Sequence, residues 1–186
     1  MTEALLTSTA PVFEVEEQVK GELARDLLRL EVAETTAGLK TLTARFKALG
    51  PIPGAADEGQ LYLDGAILDF GKKLDVSIGP GPDARTIFEG YVSGLEAIFR
   101  EGKEPEVVVF AEDKLMSLRM TRRMKTYKQM SDADIAQAVA SEHGLQAQAD
   151  ADGPTYDVVQ QWNMSDLAFL RERARLVGHH AENFRH

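Results

Sequence analysis

The sequence predicts an α+β protein with an N-terminal antiparallel β-barrel, residues 8–113, followed by a small α/β module, residues 114–186. Three observations support this prediction. Up to about Asp113 the apolar residues recur with a period near two, and turn residues separate the runs. Beyond Lys114 the apolar residues recur at helical spacing behind capping residues. Short antiparallel strands favour a barrel or sandwich, because closure leaves fewer exposed strand edges.

The first predicted hairpin joins a strand at 28–33 to a strand at 41–48. In both runs apolar residues alternate with polar ones, so each strand should have one face in the core. Gly38 lies between them and accepts the positive φ of a tight turn. The stretch 50–60 is rich in glycine, proline and charge, which predicts a loop. The residues expected to face the core are Leu28, Leu30, Val32, Leu42, Ala44, Phe46 and Ala48.

The second predicted hairpin joins a strand at 73–79 to a strand at 87–99. The connecting GPGPDART segment contains two prolines and two glycines, which enforce a turn. Pro105 then precedes a short strand at 106–110 that is rich in β-branched residues. The N-terminal half of the chain is therefore expected to contain only strands and turns.

The first predicted helix begins after Ser131, which can cap it, and Asp134 completes a capping box. Ile135, Ala138 and Val139 follow on one face, and Gly144 ends the helix. A strand after Lys114 should precede this helix. The module thus begins with a strand and a helix.

The second predicted helix follows a strand at 156–160 and is capped by Ser165. Its apolar residues recur at helical spacing, and Gly178 is the expected stop. The module therefore has the order strand, helix, strand, helix. The apolar residues of the second helix are Leu167, Leu170, Ala174 and Val177.

The composition excludes several classes of function. At 186 residues with 44% apolar and 27% charged residues, the chain can bury a real core. It has no cysteine, which excludes disulfides, thiolate zinc sites and a cysteine nucleophile. A net charge of −9 disfavours nucleic acid as a partner. The longest apolar run, Val107 to Ala111, is too short to span a membrane, and the opening lacks a secretory signal.

The motifs that could indicate catalysis or metal binding are incomplete. GYVSG at 90–94 has the wrong order for a hydrolase elbow, and prolines remove the donors that a phosphate loop at 79–82 would need. DADG at 150–153 lacks the first and last ligands of a calcium loop. We therefore predict no enzyme, no cofactor and no metal site. The four histidines are His143 and, near Glu182 in the terminal tail, His179, His180 and His186.

A cluster of basic residues is the most polarised feature of this acidic chain. Five cations occur within ten residues, just before the first predicted helix. One interpretation is an electrostatic contact with an acidic neighbour, such as another copy of the chain. The other is an exposed strand or connector, and the sequence leaves both open. The cations are Arg119, Arg122, Arg123, Lys125 and Lys128.

The two helices in order, MSDADIAQAVASEHGL and then YDVVQQWNMSDLAFLRERARLVG, resemble a pairing in the phage late control D and VgrG-like hub proteins of contractile injection systems. Upstream, IFEGYVSGLEAIF is similar to the F-x-G-x-V-x-x-L-E strand of that family. The resemblance covers roughly residues 11–178. The matching positions are Ser131, Asp132, Ile135, Ala136, Gly144, Leu145, Gln160, Ser165, Asp166, Phe169, Leu170 and Gly178.

The resemblance implies a structural function without a cofactor. Family members assemble as trimers that join the tail tube to the spike, and their tube-like β-barrel domains mimic the ring of the tube. The expected partners are other copies of the chain, the tail tube protein, and spike and baseplate proteins. Synthesis would take place in the bacterial cytoplasm, with assembly into a phage tail or tail-like particle. The basic cluster is the candidate subunit interface.

The family continues beyond the second glycine stop with a second barrel and often a spike, so this chain looks like a truncated member. Two alternatives follow from other readings of the same residues. The chain could be an adaptor that binds cargo or a cell-wall ligand through its β surface. A hydrolase would need a triad or carboxylate pair, which we do not find.

Overall fold

The computed structural model shows an α+β fold in which strands predominate. The chain divides into two compact units, Met1–Lys114 and Leu115–His186, which are described separately. Several residues named in the sequence analysis lie outside the described residues: Gly38, Val177, Gly178, the histidines of the tail, and most of the GPGP and DADG motifs. The structure describes residues 10–35, 39–51, 58–79, 84–149, 153–176 and 184–185.

The first unit is almost entirely β. Its elements in chain order are β1 (Val12–Val15), β2 (Gln18–Val19), α1 (Gly21–Asp26), β3 (Leu27–Ala33), β4 (Thr41–Lys47), β5 (Leu49–Pro51), β6 (Glu58–Gln60), β7 (Lys73–Ile78), β8 (Arg85–Ile98) and β9 (Glu106–Glu112).

The second unit has the predicted order of strand, helix, strand and helix, with short additions. Its elements are α2 (Met116–Arg119), β10 (Arg122–Met130), α3 (Asp132–Glu142), β11 (Gln146–Ala147), β12 (Tyr156–Ser165), α4 (Asp166–Leu176) and β13 (Phe184–Arg185).

Seven strands of the first unit form one antiparallel sheet in the order β2-β1-β7-β8-β9-β4-β3. Both predicted hairpins are confirmed, because β3 pairs with β4 and β7 pairs with β8. The alternation predicted for β4 is confirmed as well. Leu42, Ala44 and Phe46 are each buried, while the residues between them are more exposed.

β8 is the corner of this sheet. Its 14 residues pair with β7 over the first half and with β9 over the second, and Tyr91 belongs to both ladders. Register shifts lie between Val76 and Ser77 and between Val92 and Gly94, close to the change of partner. Bulges bend strands and increase their twist. The bend turns the two halves of the sheet toward each other.

The packing of two distant strands shows how far the sheet curves. β1 and β4 are separated by three strands in the sheet order, yet the Phe13 and Phe46 ring centroids lie 5.5 Å apart in an edge-to-face contact. A flat sheet would hold them roughly 19 Å apart at about 4.8 Å per strand. Among the described residues the edge strands β2 and β3 do not pair, so a closed barrel stays a prediction.

Three sequence predictions for the first unit are wrong in detail. Leu28 was expected in the core but is 47% exposed, because the β3 register shifts between Leu27 and Arg29 and turns it outward. The predicted loop at 50–60 begins and ends in β5 and β6, which form a separate two-stranded sheet. Helix α1 was missed, since six residues are too few for a helical period to be visible.

Helix α1 is held to the core by the buried hydrogen bond between Asp26 and Tyr62. Asp26 accepts two hydrogen bonds from Arg25, at 2.8 and 2.7 Å, and one from the Tyr62 hydroxyl at 2.5 Å. The Tyr62 ring packs against Phe46, with centroids 5.8 Å apart. The Arg25 guanidinium lowers the pKa of Asp26 below its ordinary value, against the opposing effect of burial.

Replacing Asp26 with Asn should make the first unit less sensitive to acid. A carboxyl with a lower pKa in the folded state stabilises the fold above its unfolded pKa, and this is lost as the pH falls below about 4. We expect D26N to be less stable at pH 7 and to lose less stability between pH 5 and pH 3. Urea unfolding followed by circular dichroism measures both effects.

The exposed substitution Glu101→Gln is the control and should leave the acid dependence as in the parent. Equal losses of stability between pH 5 and pH 3 in D26N and the parent would contradict this prediction.

The capping box of α3 is present as predicted. Ser131 Oγ accepts a hydrogen bond from the Asp134 amide at 3.2 Å, and Asp134 Oδ2 accepts one from the Ser131 amide at 2.9 Å. The Asp134 carboxylate also accepts a hydrogen bond from the Ser131 hydroxyl at 2.6 Å, and this bond, followed by the one from the Ser131 amide, lowers the pKa of Asp134. After the helix, Gly144 adopts a φ of 66°, which favours glycine at a C-terminal cap.

Replacing Ser131 with Ala should destabilise the second unit by about 1 kcal/mol, because an amide of the first turn loses its acceptor. Ser131→Thr keeps the hydroxyl and should lie within a few tenths of a kcal/mol of the parent. Trp162, the single tryptophan, lies in this unit and reports its unfolding in urea. Equal midpoints for the Ala variant and the parent would contradict the prediction.

Candidate interaction surface

The second unit is organised around a buried carboxylate, Asp166, the first residue of α4, which is 2% exposed. Its Oδ1 accepts a hydrogen bond from Gln161 Nε2 at 2.8 Å. Its Oδ2 lies 2.8 Å from His143 Nε2 and 3.2 Å from Arg123 Nε. A carboxylate at a helix N-terminus also interacts favourably with the helix dipole. These contacts together compensate for its burial.

Tyr127 completes this network from β10. Its hydroxyl donates to Gln161 Oε1 at 3.3 Å, and its ring stacks on Phe169 with centroids 5.5 Å apart. Burial, followed by the negative charge of Asp166, raises the pKa of Tyr127 to about 12. The hydroxyl is therefore a neutral donor at neutral pH.

A second buried carboxylate, Asp132, occupies the same position in α3. It accepts hydrogen bonds from Arg173 Nε and Nη2 at 2.6 and 3.1 Å, and from the Tyr156 hydroxyl at 3.0 Å. The Arg173 guanidinium also lies 4.6 Å from the centroid of the Tyr156 ring. These hydrogen bonds to Asp132 raise the pKa of Arg173. The two-point contact fixes the orientation of both side chains.

The two carboxylates join the helices reciprocally. Asp132 at the start of α3 contacts Arg173 in the last turn of α4. Asp166 at the start of α4 contacts His143, the C-cap residue of α3. Each helix is thus tied at its N-terminus to the C-terminal end of the other, which holds the helix pair antiparallel behind the β10–β12 ribbon.

The structure shows where most of the family-motif positions lie. Ser131 and Ser165 both cap helices, since the Ala168 amide donates to Ser165 Oγ at 3.2 Å. Gln160 is exposed, and its Oε1 accepts a hydrogen bond from Trp162. The buried glutamine is its neighbour Gln161, 1% exposed. The remaining apolar positions that are buried are Ile135, Leu145, Phe169 and Leu170.

Sequence reasoning did not identify Gln161 or the burial of Asp132 and Asp166. One signal was present: the tripeptide Met-Ser-Asp occurs at 130–132 and again at 164–166, each time at the junction of a strand and a helix. A repeated serine cap followed by an aspartate indicates two equivalent helix starts. Side chains alternate between the two faces of a strand, so Gln161 is expected on the same face of β12 as Val159, which is buried.

The basic cluster is divided between two environments. Arg123 and Lys125 pair with Glu142 of α3, so the structure uses these two cations in contacts within the unit. Lys125 also lies 5.1 Å from the centroid of the Tyr127 ring. Arg122 and Lys128 are exposed on β10, and Arg119 ends α2.

The exposed side of the β10–β12 ribbon carries apolar side chains as well as cations. Met124, Val158 and Trp162 are 70%, 54% and 60% exposed. Lys128 is opposite Val158 in the ladder, and Thr126 is opposite Gln160. Exposed aromatic and aliphatic groups between cations are typical of protein contact surfaces. We call this surface the outer ribbon face; it comprises Arg122, Met124, Thr126, Lys128, Val158, Gln160 and Trp162.

A shallow groove of about 280 Å³ lies beside this face, between β12 and α4. Trp162 and Met164 line it from the strand, and Phe169, Arg173 and Leu176 line it from the helix. Among the described residues, no group of three or more His, Asp or Glu side chains is placed to share a metal ion. None of the described helices is both long and apolar enough to cross a bilayer.

The fold is similar to those of two solved structures. A tail protein from Neisseria meningitidis MC58 matches 91% of the chain with a TM-score of 0.60 and 15% identity. The E. coli c3393 protein, a component of the type VI secretion system with structural similarity to the T4 bacteriophage tail proteins gp27 and gp5, matches 90% with a TM-score of 0.51 and 13% identity. The chain spans 46% and 40% of the lengths of these structures.

At the level of sequence, a family model described as the Alg8 N-terminal domain matches residues 55–182. This match covers parts of both units. No curated protein matches the chain in sequence.

Proposed function

The chain belongs to the Alg8 N-terminal domain family. From the similarity of its fold to that of a tail protein, we propose that it is a structural hub component of a contractile phage tail or tail-like injection system. The proposal rests mainly on one observation. The fold of the Neisseria meningitidis tail protein extends over 91% of this chain. At 15% identity this likeness shows a shared fold, so the role in the particle is our inference.

In detail, we propose a hub of the late control D and VgrG-like type that joins the tail tube to the spike. Residues 8–113 would be the tube-like domain, with its rolled sheet as the barrel wall, and residues 114–186 part of the following module. Three copies would surround the tail axis and contact the tail tube protein, the spike and baseplate proteins. The protein would be made in the bacterial cytoplasm and act without catalysis.

Several features of the molecule support an assembly role. The second unit combines an interior joined by buried hydrogen bonds with an outer ribbon face that exposes Trp162 and Met124. Its buried carboxylates are hydrogen-bonded on both oxygens, and they hold two helices behind that face. A rigid support that presents aromatic side chains and cations is suited to binding a protein surface.

Deleting the coding sequence in the producing bacterium tests this function. We expect purified particles to be absent or to lack the baseplate end by electron microscopy, and the wild-type gene to restore them. Quantitative mass spectrometry of complemented particles should find three copies per particle. Intact particles from the deletion strain, or particles that do not contain the protein, would refute the hub function.

A further inference from the structure

The charges of the two units differ sharply. Residues 1–114 carry 21 acidic and 12 basic residues, whereas residues 115–186 carry nine of each. The whole net charge of −9 therefore belongs to the first unit. On the outer ribbon face, Arg122 and Lys128 form no ion pair with another described residue, so this part of the second unit is locally positive.

The excess negative charge of the first unit includes an ordered row. Glu14 of β1 is opposite Asp75 of β7, and Asp75 is opposite Glu89 of β8. Each alternates with buried neighbours, so all three side chains lie on the outer side of the sheet. Like charges directly opposite each other destabilise a sheet. We call these three residues the carboxylate row.

One lysine offsets this repulsion in part. Lys73 lies 2.9 Å from Asp75 Oδ2, and this contact raises the pKa of Lys73. Asp75 Oδ1 is buried without a hydrogen-bond partner among the described residues. Glu14 and Glu89 form no ion pair within the described part of the chain. The row therefore retains unbalanced negative charge on the outer, partly exposed side of the sheet.

We propose that the outer ribbon face of one copy binds the carboxylate row of a second copy. Arg122 and Lys128 would lie against the carboxylates, and Trp162 against Val12, which is 38% exposed on the same side of β1. The two surfaces differ, so the contact is head-to-tail and can close into a ring. This inference rests on the proposed hub function, in which copies of the chain assemble.

A single contact of this kind should be weak. The outer ribbon face has fewer residues than the roughly 20–30 a side of a standard interface, so we expect a dissociation constant in the micromolar range or above. Sedimentation equilibrium up to about 0.5 mM should show self-association that weakens as salt is raised. Trp162 emission should shift to the blue with concentration, because the indole becomes buried in the contact.

Charge reversal identifies the two surfaces. The row variant is Glu14→Lys with Glu89→Lys, and the ribbon variant is Arg122→Glu with Lys128→Glu. Each alone should weaken self-association at least ten-fold, because like charges then oppose each other. An equimolar mixture of the two should associate again, since each variant offers the charge that the other lacks. Glu101→Lys with Glu104→Lys is the control of equal charge change in an exposed turn and should associate as the parent does.

Four outcomes would overturn the contact. These are a parent that stays monomeric at 0.5 mM, association without a change in Trp162 emission, either variant associating as the parent does, or a mixture that does not recover. The two proposals can fail separately. If the protein is monomeric and deletion abolishes the particles, the contact is refuted and the hub function stands. If the protein associates as expected and deletion leaves the particles intact, the contact stands and the hub function is refuted.

Discussion

Replacing Gly90 with Ala is expected to destabilise the first unit by about 3 kcal/mol or more. A Cβ at this position would lie 2.2 Å from the Glu112 carbonyl oxygen and 2.7 Å from Phe88 Cζ. The first of these atoms is backbone at the end of β9, where the sheet turns its corner, so it cannot move without breaking the ladder. Relaxation would therefore shift the strands that carry the core.

Gly94→Ala is the matched control in the same strand. A Cβ there would have its nearest contact at 3.6 Å, with Phe110 Cδ2, which is an ordinary van der Waals distance. We expect a change of less than about 1 kcal/mol at Gly94. Hydrogen exchange of β8 and β9 peptides, measured by mass spectrometry, reports the stability of the first unit separately from that of the second. Equal protection in the two variants would show that the corner is not as tight as the structure indicates.

Replacing Asp166 with Asn is expected to destabilise the second unit by about 3 kcal/mol. An amide has a single acceptor oxygen, so it cannot serve both Gln161 Nε2 and the two groups on its other side. His143 Nε2 would then face an NH₂ group in a buried site, and the Arg123 guanidinium, whose Nε lies 3.2 Å from Oδ2, would lose the negative charge beside it. The tie between the start of α4 and the end of α3 would be lost.

The control for this prediction is Asp157→Asn. Asp157 lies on β12, the strand that leads into α4, and is exposed, where it accepts a hydrogen bond from Gln129. We expect a change of no more than about 0.5 kcal/mol there. Urea unfolding followed by Trp162 fluorescence measures the stability of the second unit in both variants. Similar midpoints for the two would mean that the buried network does not stabilise the helix pair.

The pairing of the two helices bears on the proposed assembly. Asp132 and Asp166 lie beneath the β10–β12 ribbon, so their loss should loosen the support of the outer ribbon face. A loosened face would bind with a larger entropic cost, even though no residue of the contact had changed. If D166N associates weakly, its folded fraction should be measured as well, because partial unfolding would also weaken association.

The predictions that succeeded depend on short-range signals. The capping box of Ser131 and Asp134 and the helix stop at Gly144 were predicted from types of residue a few positions apart. The alternation in β4 follows from the same kind of information. Such signals survive because the local backbone alone decides whether the hydrogen bonds and the pleat can form.

Tertiary structure decided what no short window contains. In the sequence, Gly90 is only the first glycine of the GYVSG motif. The structure shows that the end of β9 lies directly against it. Leu28 fits a clean alternation, yet a register shift against β4 turns it toward solvent. The carboxylate row exists only because three strands, distant in sequence, are aligned in one register.

The sequence by itself therefore determined the α+β class, the two main hairpins and the helix starts. Only the folded chain decided which polar residues are buried, since Asp166 and Asp157 are chemically identical side chains near the same strand. The physical reason is that the cost of burying a charge is set by the donors around it. Gln161 on β12 and His143 at the end of α3 form hydrogen bonds with Asp166, Arg123 of β10 forms an ion pair with it, and no local pattern records that they meet.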